Sequence, residues 1–444
     1  MNWRRQFNIL GGLLLILCAI WWGVSFYLDR LLFGPITWVP VWAFIGVDFL
    51  HNYHAVGVWI HGGNPYRVDL GNHQGAYAYP PIVLPIFAWC RWMGAWLATR
   101  IWIAAVGSIL GSTAWIISKR RGFPPAVGAG LVLFSTPAVF AMERGNCDVL
   151  VLVLLALAAA AIGRKRAFND VLAAICLAVA MWIKVYPGLA VLALIPLRRP
   201  RIFLFAAGAG LLIGLIPFHA TAEFFHDEMY RGKFIFSAAD FHADPRRAKE
   251  ATLYYPPLEA FSHSLPIYWR TFWTGHPILQ RVPGVIGSGL LLLPMIGFLS
   301  WKIFRLQESS EAAWPFLLWI TLAGTFWMPV SYDYNLIYLP ILALAVLSPR
   351  RLVSLLLFLP VVVYLQPFRL DTPLPLLLLF KLMALLGLML ACGNVRPHRP
   401  RQKSAGSSSS GAGGPPEDFP SLPGEHPSAS KNVPAEYCAP AGGT

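Results

Sequence analysis

Charge is scarce in this chain. Only 13% of its 444 residues are Asp, Glu, Lys or Arg, about half the share of an ordinary soluble domain. That scarcity, with a mean hydropathy of +0.57, excludes a water-soluble globular fold. Acids are scarcer than bases, at 21 Asp+Glu against 35 Lys+Arg, for a formal net charge of +14. In a soluble protein this excess would point to nucleic acid. In so apolar a chain it reads as orientation charge facing an anionic leaflet, and no nucleic-acid partner is expected. Cysteine is sparse as well: Cys18, Cys90, Cys147, Cys176, Cys392 and Cys438 are scattered, with no CxxC pair. Neither a zinc site nor a disulfide framework is indicated. The glycine motifs of Rossmann and P-loop nucleotide sites are missing too.

What the chain has in abundance is apolar and aromatic surface. It is 57% hydrophobic, with 18 Trp, 15 Tyr and 28 Phe, which suits aromatic belts at two membrane interfaces. Several apolar stretches approach the roughly 20 residues that a helix needs to cross a bilayer. The fold class is an all-α polytopic membrane protein. Arg4 and Arg5 precede an apolar run from Phe7 to Tyr27, followed by Asp29, Arg30 and Leu31. No small-residue cleavage site follows, so the run reads as an anchor.

Basic clusters then recur: Lys119 to Arg121, Arg164 to Arg166, Arg198 with Arg199 and Arg201, Lys302 with Arg305, Arg350 with Arg351, and Arg396, Arg399, Arg401 and Lys403. The positive-inside rule puts all of them, with the N-terminus, in the cytoplasm. Neighbouring clusters must therefore enclose an even number of crossings. Between Arg5 and Lys119 the apolar stretches are odd in number, so one cannot span. Pro80 to Trp96 is that stretch, since it holds Pro80, Pro81, Pro85 and Arg91 among Trp89, Trp92 and Trp96, an interfacial composition. Parity then gives about twelve crossings with both ends inside. The expected layout is a catalytic membrane domain over 1–395, with a first outer loop 28–98 and a large outer loop 219–282. A Ser/Gly/Pro-rich cytoplasmic tail, 396–444, is expected to be disordered.

The first outer loop contains an expected amphipathic helix from Phe44 to Ile60. Phe49, Tyr53, Val56 and Ile60 share a face suited to the membrane surface, and Asp48, His51, Asn52 and Ala55 another flank. Gly62 and Gly63 end it, and Asn64-Pro65-Tyr66 forms a turn. Asp48 is either a first-turn acid favoured by the helix dipole or a functional carboxylate. Glu143 and Asp148 fall on an outer hairpin and Asp333 on a short outer turn, as solvated residues or as site acids. Lys184, between two short helices, is a functional cation or a snorkelling one. The spacing of His51, His54 and His61 allows a metal, but a solvated helix face is the preferred reading, so no metal is expected. Most acids near the bundle thus lie on the outer side. That suits an active site at the outer membrane surface, fed from the bilayer.

Gly46-Val47-Asp48-Phe49 with Tyr53, Ala55, Gly62 and Asn64-Pro65-Tyr66 resembles the first-loop signature of the bacterial GT-C glycosyltransferases of family 87, relatives of polyprenyl-phosphate-mannose-dependent α-mannosyltransferases. Further resemblances follow in the same order: Tyr79-Pro80-Pro81, Gly145-Asn146-Cys147-Asp148, Ile183-Lys184-Val185-Tyr186-Pro187, and Pro329 to Tyr334. Asn146 stands where Gln is usual, Tyr332 where Trp is usual, and Tyr334-Asn335 where a His-Tyr pair is common. The resemblance implies a GT-C-like bundle with interfacial helices in its first loop. It implies a polyprenyl-phosphate sugar donor, a lipid or glycan acceptor, membrane lipids as surroundings and no cofactor. The transferred hexose is mannose by family default. Asp48 becomes the general base of an inverting transfer, and Lys184 and Arg144 candidates for the lipid phosphate. Asn146, Asp148, Tyr53, Tyr66 and Asp333 become further substrate or donor contacts. Arg231, Lys233, Arg246, Arg247 and Lys249 in the large loop are possible helpers. The implied location is a bacterial inner membrane, with the site on the periplasmic side. A transporter or flippase of lipid-linked sugars is the rival reading, though the two halves show no internal repeat. A non-catalytic membrane subunit would leave the clustered acids unexplained.

Overall fold

Proline and glycine punctuate a series of apolar runs, and the helices begin and end where they fall. The computed structural model describes residues 3–32, 44–70, 77–164, 166–184, 186–226, 265–266, 269, 273, 275–276, 278–307, 309–327, 336–346, 374–393 and 395. All lie within the unit Met1–His398. Their regular structure is helical, with no strand among the described residues.

Helix α1 (Trp3–Leu28) is followed by α2 (Val47–Ile60), then by α3 (Val83–Phe87) with a 3-10 turn at Ala88–Trp92. Helix α4 (Ala95–Arg121) ends on Gly122, with Lys119, Arg120 and Arg121 in its last turn, where cations complement the helix dipole. Helices α5 (Pro125–Leu133) and α6 (Thr136–Arg144) each carry proline in the first turn, a position that needs no N–H. They meet at a 59° bend. Then come α7 (Asp148–Ile162), α8 (Ala167–Ile183), a 3-10 turn at Tyr186–Leu189, and the single turn α9 (Ala190–Ala193). Helices α10 (Pro200–Leu215) and α11 (Phe218–Phe224) are bent by 93°. The rest of the described set is α12 (Gly284–Leu306), α13 (Ala313–Thr321) running into a π-helical turn at Leu322–Phe326, α14 (Tyr338–Val346) and α15 (Leu374–Gly393).

Helix α8 packs between α7 and α10, and α5 between α1 and α4, while α14 lies on α4 and α13. Large apolar side chains remain uncovered outside this core, including Ile9, Leu13, Ile16 and Ile20 on α1 and Leu204, Leu211 and Leu212 on α10. A soluble protein does not leave such surfaces to water; they are what lipid would cover. Among the described residues three helices are long and apolar enough to cross a membrane, Gln6–Leu28, Ala95–Arg121 and Gly284–Leu306, or up to five if each bent pair is one span. The chain is a membrane protein by this measure. The further crossings in the expected set of about twelve would need the shorter helices α7 and α8, or fall outside the described residues.

One local expectation changes. Between Arg166 and Arg198 two short helices were expected, but after α8 the described residues form a 3-10 turn and the single turn α9. Pro187, Gly188 and Pro196 crowd this segment and prevent a longer helix. The stretch from Pro80 to Trp96 holds the five-residue α3 and the five-residue 3-10 turn before α4 begins at Ala95. Five α-helical residues and five 3-10 residues together rise about 17–18 Å, well short of a bilayer core of about 30 Å.

Candidate active site

Two glycines bring the start of α2 onto the end of α6. Gly46 precedes α2 with φ 85°, and Gly145 terminates α6 with φ 64°, both in the left-handed region that favours glycine. A Cβ on Gly145 would lie 2.9 Å from Cβ of Phe49 and 3.3 Å from Cα of Gly46. The two backbones therefore touch, and Gly46 N–H donates to the carbonyl of Glu143 at 2.7 Å. Trp102 of α4 fastens the same corner by donating to the Gly145 carbonyl at 2.8 Å.

This contact sets Asp48 opposite the turn between α6 and α7. Arg144 Nη2 donates to Asp48 Oδ1 at 2.5 Å, and Asn146 Nδ2 donates to Oδ2 at 2.8 Å. Asn146 also turns its Oδ1 to accept the backbone N–H of Asp148 at 2.9 Å. Asp148 opens α7 and is fully buried, with Lys184 Nζ 3.3 Å from its Oδ2. Tyr186 donates its hydroxyl to Asp148 Oδ1 at 2.9 Å and lies 2.6 Å from the hydroxyl of Tyr338 on α14. A continuous polar chain thus runs from Arg144 through Asp48, Asn146 and Asp148 to Lys184, Tyr186 and Tyr338, inside an otherwise apolar core. Each of these buried acids thus has a cation and hydrogen-bond donors as partners, which burial of a carboxylate requires.

Behind Asp48 the first loop forms an aromatic wall. Asn52 donates to the Asp48 carbonyl at 2.9 Å and accepts from the Tyr77 hydroxyl at 2.8 Å. Burial pushes the Tyr77 phenol well above its ordinary value, so it stays a donor. Tyr66 packs on Tyr77 and Phe224 and donates to the Tyr79 carbonyl at 3.1 Å. The Tyr79 ring faces Lys184 Nζ at 5.4 Å. Tyr53 reaches elsewhere, donating to the Met93 carbonyl at 3.2 Å beneath the Arg91 guanidinium.

Asp48, Arg144, Asn146, Asp148 and Lys184, named from sequence, are therefore brought together. Tyr66 joins through the aromatic wall, whereas Tyr53 faces Arg91. Asp333, the helper cations from Arg231 to Lys249 and the expected outer turn 331–335 lie outside the described residues. Of the two alternatives for the hairpin acids, the solvated one falls: Glu143 and Asp148 are both buried, because the glycine contact presses the turn into the core. Lys184 is paired with Asp148. The reading of helix α2 needs correction. The face of α2 assigned to the membrane surface is covered by protein. Phe49 packs on Phe87, Trp89 and Trp102, Val56 is also buried, and only Ile60 is largely exposed. Helix α2 also starts at Val47 instead of Phe44, because Gly46 turns left-handed there. The three histidines have separate neighbours: His51 lies on Tyr77, His54 on Tyr53, and His61 bonds the Gly57 carbonyl.

Sequence reasoning missed Tyr338, Asn52 and Tyr77 as contributors. Tyr186 had a signal, its place two residues beyond Lys184. Tyr338 had none, since 152 residues separate it from its partner.

Among known proteins, the family model described as Glycosyltransferase family 87 matches residues 77–235. That segment holds Tyr79 to Pro81, the turn from Gly145 to Asp148, and Lys184 to Pro187, and Asp48 precedes it. No curated protein and no solved structure matches the chain.

Proposed function

With a glycosyltransferase of family 87 as the premise, we propose that the chain transfers a hexose, by family default mannose, from a polyprenyl-phosphate donor to a lipid or glycan acceptor. The reaction takes place at the outer face of the cell membrane and inverts the anomeric centre. The observation that carries this reading is the polar chain itself. It sets Asp48, from the first-loop resemblance, against Arg144, Asp148 and Lys184 of the segment that the family model matches.

Each group has a role. The acceptor oxygen attacks the anomeric carbon, and its proton passes to the Asp48 carboxylate, which acts as general base. The bond from that carbon to the phosphate oxygen breaks, and its electron pair leaves with the polyprenyl phosphate. Arg144 and Lys184 are the cations available to that developing charge. Asn146 orients Asp48 and Asp148 together. Tyr66, Tyr77 and Tyr79 supply an aromatic wall of the kind on which a sugar ring packs, and Asp333 is the further contact expected from sequence.

Purified protein in proteoliposomes, supplied with a radiolabelled polyprenyl-phosphate sugar and membrane glycolipids, tests the reading. Appearance of label in a new glycoside supports it. The breaks at 59° and 93° also suit a transporter of lipid-linked sugars, and that reading gains if label only moves between leaflets.

A further inference from the structure

The cation closest to the proposed base already has a partner. Arg144 lies 2.5 Å from Asp48, as Lys184 lies 3.3 Å from Asp148. In both pairs the cation is the more accessible half, with side-chain exposures of 14% for Arg144 and 16% for Lys184 against 7% for Asp48 and 0% for Asp148. An incoming anion therefore meets the cations first. The four charges cancel, so the closed pairs offer it no net attraction. Its strongest contact with either cation competes with the carboxylate already there, and a ligand shifts such an equilibrium only through that difference in interaction.

We propose that the Asp48–Arg144 pair is the resting state of an empty site, and that an anionic lipid phosphate draws Arg144 away from Asp48. Donor binding is then what releases the base. The proposal rests on the reading of Asp48 as base and of a lipid phosphate as the donor group. Asp48 does not follow Arg144, because its other oxygen is held by Asn146 and its helix start by the Gly46 to Glu143 hydrogen bond. The long guanidinium side chain is the mobile partner. With Arg144 still paired, protonating Asp48 would leave a poorly solvated cation uncompensated, which is costly. With Arg144 on the phosphate, the proton arrives at Asp48 while the guanidinium neutralises the departing phosphate oxygen. One cation thereby holds the carboxylate idle and then serves the leaving group, and acceptor alone is not activated.

The exchange has a consequence of unusual sign: removing the acid strengthens donor binding. The probe is farnesyl phosphate, titrated into the detergent-purified full chain. Asp48→Asn should bind it on the order of tenfold more tightly than the unmodified chain, the scale of one charged hydrogen bond released. Asp48→Ala, which leaves no amide to occupy the guanidinium, should shift affinity in the same direction. Arg144→Gln should weaken binding, and Asp48→Asn in that background should bring no gain. Unchanged or weaker binding in both Asp48 variants, with Arg144→Gln still damaging, overturns the exchange and leaves the assignment of the donor site intact. Failure of the unmodified chain and of every variant to bind farnesyl phosphate overturns that assignment, and the exchange with it.

Discussion

The hydroxyls of Tyr186 and Tyr338 lie 2.6 Å apart although 152 residues separate them, and Tyr186 passes the contact on to Asp148. This bond ties α14 to the segment that presents Lys184. Tyr338→Phe removes one end of the relay and should cost about 1 kcal/mol of stability. Tyr186→Phe should cost more, since Asp148 also loses a donor. Thermal unfolding of both variants and of the double variant checks the coupling, the double being no worse than Tyr186→Phe if the two act as one unit.

Asp48→Asn keeps size and removes basicity. Turnover should fall by about 10²–10⁴. Asp148→Asn should fall less, because Asp148 is fully buried and acts on substrate only through Lys184 and Asn146. Single-turnover transfer in matched membranes decides between them, and a larger loss in Asp148→Asn would exchange their roles.

Lys184→Met leaves Asp148 buried without its cation, a change worth about 3–5 kcal/mol where a buried pair is broken. The variant should melt earlier than the double variant Lys184→Met/Asp148→Asn, which removes both charges. Turnover of the double variant, read at saturating donor, should still be depressed on the order of tenfold if Lys184 also meets the phosphate.

Gly145→Ala forces a side chain into left-handed backbone and against Phe49. A loss of about 1–3 kcal/mol is expected from the backbone alone, with a fall in activity as Arg144 shifts from Asp48. Gly94→Ala is the control, since its backbone is extended and an added Cβ there meets nothing within 4 Å. Melting curves of the two variants should separate clearly.

Cysteine labelling tests the topology. Val68→Cys and Trp92→Cys, at positions 44% and 88% exposed, should label from one side of the membrane and Arg120→Cys from the other. Background from Cys90 and Cys147 should be low at neutral pH, because burial pushes their thiols up to about 11 and about 12 and only the thiolate reacts. Labelling of Val68→Cys and Trp92→Cys from opposite sides would mean that the segment between them crosses.

Membrane character and helical class were legible in composition, and motif singled out several of the polar residues that the structure brings together. Asp48, Arg144, Asn146, Asp148 and Lys184 stood out because polar residues are rare in this chain and cluster at glycine and proline turns. Their mutual distances were not legible, since these depend on Gly46 and Gly145 touching across 98 intervening positions, about which local periodicity says nothing. The same limit explains α2. Its period marks an apolar face correctly but does not distinguish lipid from Trp102 and Phe87 as the cover. Tyr338 was invisible for a related reason: a tyrosine in an apolar helix carries no sign of what its hydroxyl will meet.

The Gly46–Gly145 contact acts as a ruler made of main chain. Because it fixes the approach of the backbones that carry Asp48 and Arg144, Tyr66 and Tyr77 of the aromatic wall should be exchangeable without moving that backbone spacing. If the aromatic wall meets the acceptor as proposed, acceptor preference can be changed through that wall while the backbone spacing stays constant. A library randomising that wall with both glycines held fixed should yield variants that differ in what they glycosylate and agree in how they do it.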